Sequence, residues 1–84
     1  MEVHFTLHAM RRAFERGITT EAVETVLENP DEVINVRFGR KAAFKRFGND
    51  HIVVIFEVQK DKITVVTTLK VDRERLKRYG FSRI

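Results

Sequence analysis

His8, Arg12 and Arg16 are the residues of this 84-residue chain whose types and spacing best suit chemistry. Residues four apart lie on one side of a helix, one turn after another. A histidine moves a proton near neutral pH, and arginines hold a phosphate through charge-assisted bonds. Metal-free RNA cleavage needs both, because protons move at two oxygens while the phosphate charge is stabilised. The alternative is a row of solvated polar side chains.

Thr67 is a second candidate, as a hydroxyl on the last predicted strand. Strand alternation predicts that it shares one face with Val65 and Leu69. It is then either a phosphate contact or a buried hydroxyl bonded to a neighbouring backbone group. The chain contains no phosphate-binding glycine loop, dinucleotide fingerprint or zinc-protease motif, and its three histidines lack metal-ligand spacing. We therefore expect neither a metal nor a cofactor.

The charge is distributed unevenly along the chain. Residues 1–34 carry three basic and seven acidic side chains, a net −4, whereas residues 35–84 carry thirteen and five, a net +8. A one-sided positive field favours a polyanion such as RNA, although an acidic protein would be attracted to the same surface. The densest patch is Arg37, Arg40, Lys41, Lys45 and Arg46.

Tyr79, the only tyrosine, is a further candidate nucleic-acid contact. It could stack on a base or share in proton transfer, and the alternative is an aromatic residue that docks on the core. Phenylalanines at positions 38, 44, 47 and 56 interleave with the basic patch, as in platforms for single-stranded RNA. Four phenylalanines on strands more often form a core.

The elements that must position these residues follow from hydrophobic periodicity. A helix after Thr6 is predicted to bury Leu7, Met10, Ala13 and Phe14, leaving the His8 row on its opposite side. A second helix ends at Asn29-Pro30. Four strands with short turns follow, so we predict an α+β fold. In it, two N-terminal helices pack on one face of a twisted antiparallel sheet of about four strands, with a short first strand possible.

Length and composition set the outer limits. Residues 1–84 are expected to form one domain, in which residues 71–84 are a basic tail or a short helix. The absence of cysteine excludes disulfides and thiolate chemistry. The longest apolar run is Ile52 to Phe56, so no membrane partner is expected. No basic and apolar leader precedes the first amphipathic segment, which favours a cytoplasmic protein.

The segment that runs from Phe5 to Pro30, F-T-L-H-A-M-R-R-A-F-E-R-G-I-T-T followed by an acidic helix and N-P, resembles the opening of the family called domain of unknown function 4258. Val65 to Thr68, V-V-T-T, resembles that family's final strand. The family is similar in predicted fold to RelE/ParE-like toxins and to barnase- and colicin-type ribonucleases. The resemblance implies a small ribonuclease, with His8, Arg12 and Thr67 as its polar signature, and an acidic antitoxin as a possible partner.

The leading hypothesis is a metal-independent endoribonuclease, and the resemblance extends it to the toxin of a toxin–antitoxin pair. His8 would act as general acid and base, Arg12 and Arg16 would hold the phosphate, and Thr67 would support them. The alternative is a non-catalytic module that binds RNA or protein through the basic sheet face. A third hypothesis is a structural subunit in which the polar row only attaches the first helix to the sheet.

Overall fold

The protein is described by a computed structural model over residues 2–84, which form five strands and three helices of an α+β fold. The elements are β1 (Glu2–Phe5), α1 (Leu7–Glu15), α2 (Thr20–Glu28), β2 (Glu32–Asn35), β3 (Lys41–Phe47), β4 (Asp50–Gln59), β5 (Lys62–Val71) and α3 (Arg73–Tyr79). A short 3₁₀ turn, Arg37–Gly39, joins β2 to β3.

The sheet is mixed rather than purely antiparallel, which corrects the sequence-based prediction. Its strand order is β1-β5-β4-β3-β2, and β1 runs parallel to β5 while the other neighbours are antiparallel. The first strand is too short to show its direction by pattern, and its place at the β5 edge depends on contacts about 60 residues away, such as Val3 with Ile63. β4, apolar on both faces, lies at the centre.

Side-chain caps and a left-handed glycine define the two N-terminal helices. The Thr6 and Thr19 hydroxyls each accept a hydrogen bond of 3.0 Å from the backbone N–H three residues later, so both helices begin at a threonine N-cap. Gly17 adopts φ +67° after α1, a conformation that glycine reaches without steric cost. The chain can therefore turn directly into α2.

Of the four residues of α1 that were predicted to be buried, only Ala13 is buried. Ala9 and Ala13 face the sheet, whereas Leu7, Met10 and Phe14 are 70%, 47% and 87% exposed. The prediction assigned the large apolar side chains of α1 to the core. The sheet beneath α1 already supplies bulky residues, and the small alanines allow the helix to approach it closely. The larger side chains form an exposed apolar stripe, defined here as Leu7, Met10 and Phe14.

Helices cover both faces of the sheet, with the two N-terminal helices on one face as predicted and the C-terminal helix on the other. α1 and α2 pack on one face over a core that includes Val54, Phe56 and Val65. α3 packs on the other, where Leu76 and the following Phe81 bury Phe44. The order of layers is therefore α1/α2, sheet, α3. Within residues 2–84, no helix combines the length and apolar character needed to cross a membrane.

Candidate functional site

The predicted row on α1 is present as a row, and its three members have different environments. The side chain of His8 is exposed and forms no hydrogen bond within residues 2–84. Arg12 lies 3.5 Å from the carboxylate of Glu15 on the same helix. Arg16 is half-buried and donates to the backbone carbonyl of Thr68 on β5. Arg16 therefore attaches the end of α1 to the sheet, while His8 and Arg12 face solvent.

A β-bulge in β5 places Thr67 away from that row. Ile55 pairs with Thr67, but the next residue of β4, Phe56, pairs with Val65, so one residue of β5 is left without a partner. An extra residue shifts the alternation of side chains. Val65 therefore faces α1 while Leu69 belongs to the core under α3. Leu69 therefore shares a face with Thr67 as predicted, whereas the same prediction for Val65 is wrong.

Thr67 consequently lies on the α3 side of the sheet, and the neighbouring Thr68 is the threonine on the helix side. Thr68 is fully buried, and its hydroxyl has no hydrogen-bond partner within residues 2–84, although its carbonyl accepts from Arg16. The structure thus brings Arg16 to Thr68 and separates the α1 row from Thr67. A single-residue bulge cannot be recognised in an alternating apolar pattern.

The basic patch predicted on residues 37–46 divides between the two faces. Lys41 and Lys45 lie on the helix side with Ala43, where Lys45 donates to the Asn29 carbonyl at 3.1 Å and lies 3.7 Å from Asp31. Lys41 donates to the side chain of Asn35. The three arginines of the patch, Arg37, Arg40 and Arg46, instead line cavities on the α3 side.

One of those cavities, of about 470 Å³, unites three of the predicted nucleic-acid contacts. We call it the Phe38 pocket. Its polar and aromatic wall is formed by Asn35, Arg37, Phe38, Arg40, Arg78 and Tyr79. No carboxylate lines it, although Arg40 pairs with Glu57 at 2.8 Å. Two aromatic rings and three guanidinium groups therefore surround one opening beside Ile55, the residue opposite Thr67.

Phe38 has an unusual backbone and an unusual exposure. It adopts φ +64°, ψ +30°, the left-handed region that bulky residues rarely occupy, and its side chain is 83% exposed. The guanidinium of Arg40 lies 5.8 Å from the centre of its ring. A strained position that displays an apolar ring to solvent suggests a binding role. The sequence leaves Phe38 open as either a stacking platform or a core residue, and its exposure excludes the core.

On the α3 side of the sheet, the carboxylate of Glu32 binds the segment that follows α3, an arrangement called here the carboxylate clamp. Glu32 on β2 accepts hydrogen bonds from the Ser82 and Arg83 backbone N–H groups, at 2.8 and 2.7 Å, and from the Ser82 hydroxyl at 3.0 Å. Desolvation raises the pKa of Glu32, but the bonds from Arg83 and Ser82 outweigh it, so the net effect is a lowered pKa. The clamp holds the C-terminal segment, and with it Arg83, against the sheet.

The histidines and carboxylates are the remaining side chains of interest, since these residue types can ligate a metal ion. Within residues 2–84, no three His, Cys, Asp or Glu side chains come together in a way that could hold an ion. His4 contacts only the carboxylate of Glu2 beside it, and this contact is the main cause that lowers the pKa of Glu2.

The sequence comparisons identify the family. The family described as Domain of unknown function (DUF4258) matches residues 5–70, which include α1, α2 and nearly all of the sheet. Because this match covers most of the chain, the protein belongs to that family. No curated protein and no solved structure matches the chain.

Proposed function

We propose that this member of the DUF4258 family binds single-stranded RNA on the sheet face that α3 covers. The observation that carries the proposal is the Phe38 pocket, where Arg37, Arg40 and Tyr79, three predicted contacts, lie together with two further residues of the same chemistry, Phe38 and Arg78. Aromatic rings stack on bases of any sequence, and arginines bind the backbone phosphates that connect them.

The charge on this face supports an RNA ligand over an apolar one. Six arginines line the Phe38 pocket and the cavity beside it, whereas Asp31 is the one carboxylate side chain among the residues that line either cavity. That carboxylate already accepts a hydrogen bond from the backbone of Arg46 and lies near Lys45. A polyanion gains affinity at such a surface because it releases condensed counterions when the arginines replace them.

The test is the affinity of the protein for a fluorescent single-stranded RNA, measured by anisotropy at several salt concentrations. The double variant Arg37→Gln/Arg78→Gln removes two guanidiniums from the Phe38 pocket. If both contact phosphates, the slope of log K against log salt falls by about 1.4, since each phosphate contact to a single strand contributes roughly 0.7. Neither arginine forms an ion pair within residues 2–84, so folding should be unaffected.

A matched control removes the same charge from the opposite layer. Arg11→Gln/Arg12→Gln takes two guanidiniums from α1 and should leave the slope unchanged. If instead this variant loses the salt dependence while the Arg37/Arg78 variant retains it, RNA binds on the α1 side and the proposal is refuted. An equal loss in both variants would mean that binding reflects net charge alone, which refutes it as well.

Metal-independent RNA cleavage is the second candidate function, and one observation favours it. His8 is exposed, has no partner within residues 2–84 and lies one turn before Arg12 on the same helix. A proton-transferring side chain beside a phosphate-binding cation is the minimum that such cleavage needs. Arg16 cannot take the same role without leaving the carbonyl of Thr68, so within the predicted row we assign it to positioning α1.

Cleavage is tested with single-stranded RNA in EDTA, using the wild-type protein and His8→Ala. A rate at least 100-fold lower in the variant would support His8 as a general acid or base. Equal rates would remove His8 from the mechanism, and absence of cleavage by the wild type would leave a protein that only binds RNA. His8 lies on the surface, so the variant is expected to fold normally.

An acidic protein partner, such as the antitoxin of a RelE/ParE-like toxin, is proposed for the apolar stripe of α1. Leu7, Met10 and Phe14 have the i, i+3, i+7 spacing of a helix that packs against another protein. Arg11, four residues after Leu7 and beside the stripe, would complement acidic residues. If an adjacent gene encodes a small acidic protein, the two products should co-purify from co-expression. The substitution Phe14→Glu should abolish the complex, and an unaffected complex would contradict this assignment.

A further inference from the structure

A second cavity, of about 450 Å³, lies on the α3 side of the sheet beside His51. We call it the His51 pocket. His51 on β4 stands directly opposite Arg46 on β3, and its ring is tilted against Phe44 with 6.2 Å between the ring centres. Arg73, the first residue of α3, and Arg83, in the segment held by Glu32, complete its charged wall.

The guanidinium groups of this pocket are mostly free to bind a ligand. Arg46 donates to the carbonyl of Gly48 at 2.7 Å, whereas the guanidiniums of Arg73 and Arg83 make no hydrogen bond or ion pair within residues 2–84. The carboxylate of Asp31, which also lines the pocket, already accepts a hydrogen bond from the backbone N–H of Arg46. The side chains that line the cavity therefore carry an excess of positive charge.

The ring of His51 lies between the protein interior and the cavity. Its Nδ1 is enclosed by protein atoms and has no hydrogen-bond partner within residues 2–84. A polar atom removed from water without a partner costs free energy, and such atoms are uncommon in folded proteins. Because Nδ1 is enclosed while the ring also lines the cavity, Nε2 is the nitrogen that can donate to an acceptor oxygen seated there.

We infer that the His51 pocket binds a phosphate group, with Arg73 and Arg83 as charged donors and the His51 ring as a third donor. Guanidinium groups match phosphate oxygens in pairs of parallel hydrogen bonds, and a phosphate offers enough acceptors for all three side chains. The volume of the cavity also accommodates a nucleotide rather than only an ion.

The identity of the phosphate as part of RNA rests on the proposed function. His51 and Ile55, which line the two cavities, are four residues apart on β4, so the cavities are about 13 Å apart along the strand. Both open on the same side of the sheet. One RNA strand could then stack on Phe38 and Tyr79 while a phosphate further along its backbone occupies the His51 pocket.

The inference is tested by NMR, with inorganic phosphate, uridine 5′-monophosphate and a hexauridylate added separately to the full chain. We expect each to shift the ring-nitrogen signals of His51 in a saturable way. The double variant Arg73→Gln/Arg83→Gln should bind inorganic phosphate at least tenfold more weakly than the wild type. Arg75→Gln is the control, since Arg75 lies on the same helix outside the pocket. The affinity of this variant for inorganic phosphate should stay within twofold of the wild type.

A second variant separates binding from folding. His51→Phe keeps an aromatic ring against Phe44 and removes both ring nitrogens, including the Nε2 donor. It should lower phosphate affinity at least threefold without lowering the midpoint of thermal unfolding. A variant that unfolds earlier but binds phosphate as the wild type does would show that His51 is structural, and would overturn the inference.

The remaining outcomes distinguish this inference from the proposed function. If phosphate shifts His51 but the hexauridylate does not bind, the phosphate site stands, its ligand is a small phosphate compound, and the RNA proposal fails. If the hexauridylate binds while no ligand shifts His51, the RNA proposal stands and the phosphate site is refuted. Non-saturable shifts spread over all arginines, or equal losses in the Arg75 control, would also refute it.

Discussion

Replacing Phe38 should weaken RNA binding while leaving the fold nearly as stable as before. The ring is 83% exposed, so only about a sixth of it is buried and its removal forfeits about 0.3–0.5 kcal/mol of the 1.5–3 that full burial supplies. The contact with Arg40, at 5.8 Å, adds about 0.5–1 kcal/mol at an exposed site. Phe38→Ala should therefore cost about 1 kcal/mol of unfolding free energy.

A second substitution at the same position measures the backbone strain. At φ +64° a side chain with a Cβ costs about 1–2 kcal/mol, whereas glycine avoids this cost but loses about 0.5–1 kcal/mol through its greater freedom in the unfolded chain. Phe38→Gly should accordingly be about 0.5–1 kcal/mol more stable than Phe38→Ala. Urea unfolding followed by circular dichroism gives both values.

RNA affinity should respond differently, because it depends on the ring and not on the strain. Stacking on one base contributes about 1–3 kcal/mol, so both variants should bind a single-stranded RNA about 5- to 150-fold more weakly. Phe14→Ala is the control, since Phe14 is 87% exposed but lies on α1, and it should leave affinity unchanged. Full affinity in both Phe38 variants, or an equal loss in Phe14→Ala, would refute the reasoning.

Three further predictions concern stability, each followed by urea or thermal unfolding. Folding lowers the pKa of Glu32, so its carboxylate stabilises the fold above its ordinary pKa of 4.5, and this contribution is lost as the pH falls through the folded value. Glu32→Gln should therefore reduce the loss of stability that the wild type shows at acid pH. An unchanged loss at acid pH would exclude the clamp as its source. Leu76→Ala, at a fully buried position, should cost about 2–5 kcal/mol and Leu7→Ala less than about 1, whereas similar costs would mean that the α1 stripe is packed. Thr6→Ala should cost about 1–2 kcal/mol, more than Thr19→Ala, because the Thr6 hydroxyl also donates to the Val66 carbonyl at 3.3 Å; a smaller loss than Thr19→Ala would contradict that role.

The local signals in the chain were sufficient to predict the elements themselves. Threonine caps and the glycine at position 17 bound α1 and α2, and period-two segments predict the strands. These features act within a few residues, since a cap satisfies its own helix and a turn joins neighbouring strands. The α+β class follows from the order of those elements. The basic character of residues 35–84 was equally visible, because it requires only counting.

The sequence could not reveal which side of each element would be buried. α1 has an apolar stripe on one side and two alanines on another, and the bulky side chains of β4 and β5 decided that the alanines face the sheet. Likewise, one unpaired residue in β5 moved Thr67 to the α3 side and put Thr68 beside Arg16. Burial is settled by the volume available between layers, which depends on residues far apart in the chain.

The sequence by itself showed that this chain offers many basic side chains together with aromatic rings. It also showed His8 and Tyr79, the two residues considered for proton transfer, close in sequence to arginines. Only the tertiary structure decided their grouping, because α3 returns across the sheet and carries Arg73, Arg78 and Tyr79 to strands that precede them by 20 to 40 residues. Each cavity is lined by segments that lie far apart in the chain, so a local stretch of sequence cannot reveal it.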